Sequence, residues 1–169
     1  MNATNALFKE ESIKYMDMNI PRIEKCLEMM TEEELWWRPN AHVNSVGNLL
    51  LHLCGNITQW ITAGLGTIPD RRERDLEFST RSGYTKAVLL EKIKQVNKEA
   101  TAVIRSMDEA RLQKTYAIQN YDNTGYGVII HVTEHFSYHV GQIATMTKFL
   151  KARDLGFYSD QDLNGRIAD

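Results

Sequence analysis

Proline is scarce in this chain. Only Pro21, Pro39 and Pro69 interrupt it, so almost nothing prevents long helices from forming. Cysteine is scarcer still. Cys26 and Cys54 form neither a C-x-x-C motif nor a disulfide framework, which leaves two reduced thiols of the kind cytoplasmic proteins carry. There is no excess of basic charge: the formal net charge of −2 excludes the positive footprint of a nucleic-acid binder. There is also no long apolar run. The richest stretch, "VGNLLLHLCGNITQWI", is broken by His52, Asn56 and Gln59, whereas a membrane span needs roughly twenty apolar residues. The opening "MNATNALFKEES" lacks the basic and apolar regions of a secretory signal, and no internal repeat is visible. These absences predict a cytoplasmic protein that engages neither membrane nor nucleic acid.

What is present is an ordinary globular composition, 43% hydrophobic and 25% charged, in a chain sized for one domain spanning residues 1–169. Apolar residues recur at helical spacing. A first helical stretch covers about 4–30, through Leu7, Ile13, Met16, Ile20, Ile23, Leu27 and Met30, with Pro21 kinking or dividing it. Asn44 or Ser45 can cap a second helix of about 45–64 that ends near Gly64 and Gly66. Thr85 can cap a third, about 85–107, and a fourth runs from about 126 to 151. The connections, 65–84 and 108–124, read as irregular, and the run "DRRERD" reads as a solvated charged loop. Four long helices predict an all-α four-helix bundle, and connections of this length predict at least one crossover along it.

Two of these helices carry polar stripes. On the fourth, His131, His135 and His139 follow one another at four-residue intervals and share one face, with Gln142 on the same stripe. Histidines at i and i+4 can place two ring nitrogens on one metal ion, as the zinc-protease helix does, although the H-E-x-x-H sequence is absent. On the second helix, His52 stands in the run Leu49–Leu53, with Asn48, Asn56 and Gln59 extending its stripe. Buried polar groups are costly without partners, so two such stripes in one bundle are expected to face each other. Three neutral imidazoles would then suit a divalent cation and leave positions open for water or substrate. Spacing permits either His131 with His135 or His135 with His139; Gln142 beside His139 favours the second pair. The plain alternative is that each histidine is a satisfied core residue and that Trp36, Trp37 and Trp60 are core or partner surface.

Other chemistries find less support. Paired E-x-x-H motifs of a di-iron carboxylate bundle are missing, and a haemerythrin-like site wants more histidines and bridging carboxylates. Cys54 lies about 200° from His52 around the helix, so no cysteine–histidine couple forms. Glu134 is off the histidine stripe, and neither it nor Tyr138 is assigned as a base. His42, in the loop before the second helix, reads as solvent-facing.

The segments "RPNAHVNSVGNLLLHLCGNITQWI" and "EHFSYHVGQI", with the charged connection "RRERDLEF" between them, resemble the DinB/YfiT-like superfamily of helical-bundle metalloproteins. Its patterns S-[IV]-G-x-[LI]-[LV]-x-H-[LI] and H-x-x-x-H-x-G-Q fall on Ser45–Leu53 and His135–Gln142. The resemblance implies His52, His135 and His139 as ligands of a divalent metal, zinc or nickel first among them. It leaves His131 as a pocket-wall or core residue. Asn48, Asn56, Gln59, His131 and Gln142 are then expected to support the ligands or meet a substrate. Members of the superfamily include thiol-dependent transferases and isomerases and often pair as dimers. The expectations that follow are a metal-dependent transferase or hydrolase, a small-molecule substrate, a low-molecular-weight thiol as partner, and a homodimer. The rival expectation is a non-catalytic helical binding or interaction protein with an incidental metal site.

Overall fold

The computed structural model describes residues 2–165, which are mostly helical with one small two-stranded hairpin. The first helical stretch is divided, and ahead of Pro21. Helix α1 spans Ala3–Asp17 and α2 spans Asn19–Met29. A proline has no N–H to give to the carbonyl four residues earlier, and its ring crowds that carbonyl. Four residues before Pro21 is Asp17, where α1 stops.

A short α3, Glu32–Trp36, opens on a capping box between Thr31 and Glu34. Helix α4, Val46–Ile57, opens on another, between Ser45 and Asn48, so Ser45 is the cap. Its continuation, Thr58–Gly66, has the wider π-helical turn, a geometry often found beside functional sites. The charged connection is not wholly irregular, since Arg74–Ser79 form a short helix, α5, that packs on α4. Helix α6, Lys86–Ser106, is capped by Thr85. It buries Leu89, Ile93, Val96, Ala100 and Ile104, while Val88 is exposed.

The second connection is also structured. A short α7, Glu109–Gln113, leads into strands β1, Thr115–Ile118, and β2, Tyr121–Thr124. The strands are antiparallel, with Ile118 opposite Tyr121. Both turn residues, Gln119 and Asn120, have positive φ (52° and 64°), the combination that two-residue hairpin turns of matching twist require. Helix α8, Gly125–Lys151, is capped by Thr124 and ends at Ala152, whose backbone is left-handed.

Helix α4 packs against both α6 and α8, α2 lies along α8, and α1 touches both α6 and α8. Leu50, Leu53, Ile57, Ile61, Ile93, Val132, Phe136 and Ile143 are fully buried between them. At about 1.5–3 kcal/mol for each such side chain removed from water, this apolar interior holds α4 and α8 side by side. That pairing brings the two polar stripes together. No described helix is long and apolar enough to cross a membrane.

Candidate metal centre

His52 projects from α4, and His135 and His139 project from consecutive turns of α8. The Nε2 atoms of His52 and His139 each lie 3.2 Å from Nε2 of His135. One ligand atom from each residue lies within 4.8 Å of the others. On a tetrahedral zinc site with bonds of about 2.05 Å, ligand nitrogens stand roughly 3.3 Å apart. The outer nitrogens fix the tautomers. His139 Nδ1 lies 2.7 Å from Gln142 Oε1, and His52 Nδ1 lies 3.0 Å from Glu77 Oε2. Both partners are acceptors, which favours a proton on each Nδ1 and a lone pair on each Nε2 facing His135. A proton on His135 Nε2 can serve only one of them. A cation serves all three.

Behind His52 stands a charged layer. Arg72 grips Glu77 with two hydrogen bonds of 2.7 Å, Nε to Oε1 and Nη2 to Oε2. Their side chains are only 3% and 8% exposed, respectively. Arg72 Nη2 also lies 3.1 Å from His52 Nδ1, farther than the 2.7 Å to Glu77 Oε2. Arg72 Nη1 donates to Gln59 Oε1 at 2.8 Å, and Gln59 Nε2 donates to Asp70 at 2.7 Å. Gln119, at the hairpin tip, donates to the same Gln59 oxygen. The pair fits because residue 55 is glycine. A Cβ on Gly55 would stand 1.9 Å from Glu77 Oε1 and 3.0 Å from Arg72 Nε. Asn48 completes the layer from beneath, donating through Nδ2 to the carbonyls of Glu77 and Thr80 at 2.8 Å each. It thus ties α5 to the first turn of α4.

Electrostatics keep the two α8 histidines neutral. Burial, reinforced by the neighbouring His139 and His52 rings, pushes His135 down to about 3. Burial also lowers His139, against the hydrogen bond it donates to Gln142. For Glu77, burial alone would raise the carboxyl, but hydrogen bonds and charge from Arg72 and His52 overcome it and hold the group below the usual carboxylate range. Glu77 is therefore ionised beside the His52 ring. That is the carboxylate–histidine arrangement that orients a ligand ring and raises its basicity.

The other expected residues take different places. His131 stays out of the cluster; its ring packs 4.2 Å from that of Trp60 and 5.5 Å from that of His135. It lines a cavity of about 450 Å³ on the open side of the triad, together with Asn56, Trp60, Gln119 and Asn123. Gln142 and Gln59 reach the ligands or the layer behind them; Asn48 donates to backbone carbonyls and makes no hydrogen bond to a described histidine. His42 is exposed. Cys54 is buried on the far side of α4, and burial pushes its thiol up to about 12, so it is no nucleophile. The reading of "DRRERD" as a solvated loop is corrected: Arg72 within it is buried against Glu77.

Arg72 and Glu77 are the residues that sequence reasoning missed. A charged connection looks solvated because its charges outnumber any visible partner. The signal was indirect: a ligand histidine needs an acceptor at its second nitrogen, and α4 carries no carboxylate of its own.

The fold and site together define a mostly helical protein with a buried cluster of three histidines compatible with a metal ion. The chain belongs to the family described as "Protein of unknown function (DUF1572)", whose model matches residues 4–159. It is similar in fold to the crystal structure of a conserved protein from Enterococcus faecalis, with a TM-score of 0.72. The two are 17% identical, over 90% of this chain and 99% of that one. No curated protein matches the sequence.

Proposed function

We propose that this protein is a metal-dependent enzyme acting on a small molecule, built on a four-helix bundle of the DinB/YfiT-like type. His52, His135 and His139 hold the divalent cation. The observation that carries the reading is the convergence of three Nε2 atoms, two of them on rings whose outer nitrogens face the acceptors Glu77 and Gln142. Zinc and nickel suit three imidazoles best, and both also accept the thiol or water that fills an open position. A cation held there would lower the pKa of a bound water or thiol towards neutrality, supplying a nucleophile for hydrolysis or S-transfer.

The chain's own residues supply the rest. Glu77 and Gln142 aim two of the rings. The buried Arg72–Glu77 pair keeps the carboxylate ionised without adding net charge. Trp60 and His131 form the cavity wall beside the open side of the triad.

The test is a screen of metal-reconstituted protein against low-molecular-weight thiols with electrophiles, in parallel with simple esters and amides. Turnover in one series, abolished in His135→Ala, is the expected result and separates transferase from hydrolase. A flat response in both series contradicts the enzymatic reading and leaves the metal-binding interaction protein as the better account.

A further inference from the structure

The cavity beside the triad has a charge pattern that points to the kind of molecule it receives. None of its lining residues is acidic. Arg72 lines it, but its charge is matched by Glu77. Arg74 also lines it and makes no ion pair among the described residues. Its guanidinium lies 4.8 Å from the Phe78 ring, which itself lies 4.8 Å from the His52 ring. Those two steps bound the span between the metal-facing imidazole and the free cation, a length that a chain of a few carbons bridges.

The wall carries polar atoms without partners. Asn56 is 3% exposed, yet its Oδ1 has no hydrogen-bond partner, and Trp60 Nε1 has none either. Both atoms are enclosed within the wall, so neither is offered to a ligand in this arrangement. Gln119 and Asn123 add two amides from the hairpin, and His131, packed on the buried Trp60, adds an imidazole.

From these features, and resting on the metal-site reading above, we infer that the cavity binds a small organic oxyanion. One end of the molecule offers a donor atom at the triad, its body passes His131 and the hairpin amides, and an oxyanion tail such as a carboxylate meets Arg74. Three neutral imidazoles cancel none of a divalent cation's charge, and the Glu77 charge is already matched by Arg72. The site as a whole therefore favours anions and disfavours ammonium groups.

The test uses cobalt-loaded full-length protein and a series of thiols, HS–(CH₂)n–X, with n from about 2 to 6 chosen to bracket the span. X is carboxylate, hydroxymethyl or ammonium, and binding is followed by the thiolate-to-cobalt absorption band. At the best length the carboxylate is expected to bind about tenfold tighter than the alcohol, the scale of one charge-assisted hydrogen bond, with the ammonium weakest. Arg74→Gln, a change at an exposed position, brings the carboxylate's affinity down to that of the alcohol. Equal affinities for all three tails at every length overturn the inference, as does a carboxylate preference that survives Arg74→Gln. Failure of the protein to take up cobalt, zinc or nickel overturns both this inference and the metal-site reading. Full uptake without tail discrimination overturns this inference alone.

Discussion

At the scale of single residues, the layer behind the ligands makes predictions that the ligands alone do not. Glu77→Gln keeps the shape but weakens the acceptor at His52 Nδ1. Loss of such a partner costs about 10–100-fold in metal affinity, measurable by competition with a chromophoric chelator. An affinity within twofold of wild type contradicts the positioning role. Arg72→Met leaves Glu77 buried and unpaired, and the expected destabilisation is about 3–5 kcal/mol in urea unfolding. A change below about 1 kcal/mol would mean the pair is more solvated than its 3% and 8% exposures indicate. His131 separates from the triad by experiment as it does by geometry: His131→Ala should keep full metal stoichiometry, and His135→Ala should not.

Acid stability belongs to the same scale. In metal-free protein His135 titrates near 3, whereas in the unfolded chain a histidine titrates near 6.5. Between those values the unfolded state binds a proton that the folded state refuses. Stability is therefore full above about pH 6.5 and falls as pH drops through the window. His139 and His131, both lowered by burial, act in the same direction. Glu77, also lowered, adds a loss at still lower pH, in the carboxylate range. For His135 alone the expected loss is about 1 kcal/mol per pH unit. Urea midpoints at pH 7.5 and 5 for EDTA-treated wild type and His135→Phe measure it. The variant should show the shallower dependence; parallel curves contradict the assignment.

Among the elements, legibility followed the strength of the local signal. The long helices were visible because apolar periodicity over twenty or more residues is hard to mistake, and Ser45, Thr85 and the proline at 21 punctuated them. The π-helical turn after Ile57 was not visible, because its apolar content reads the same at either pitch. Helix α5 was hidden for a different reason: at six residues it has no periodicity to show, and it is held by contacts that sequence does not reveal. Asn48 fixes its carbonyls, and Gly55 leaves room for its carboxylate. The hairpin lacked the usual Asn-Gly signal, carrying Gln119-Asn120 instead. Gly55→Ala tests the α4–α5 junction. The new methyl group displaces Glu77 and should lower metal affinity at least as far as Glu77→Gln, with helical circular dichroism unchanged. Wild-type affinity in that variant would show that α5 does not seat where the geometry places it.

For the molecule as a whole, three histidines from two helices join parts of the chain 83 residues apart. A ligand that bridges them stabilises the fold by mass action, about 2.7 kcal/mol at a hundredfold excess over its dissociation constant. In a chain of this length that corresponds to a rise in Tm of roughly 5–10 °C on adding zinc or nickel to chelator-treated protein. The triad was legible as soon as His52 and the four-residue histidine interval were read together, and the DinB/YfiT resemblance chose between the two possible pairs. The supporting charges were not legible, because they come from a segment whose composition reads as solvent-facing.

The most direct measurement is the metal content of protein purified without a histidine tag, for wild type and for His135→Ala of equal helicity. The account predicts about one equivalent of a divalent transition metal per chain in the wild type and a near-complete loss in the variant. Sub-stoichiometric metal that is the same in both proteins would contradict it.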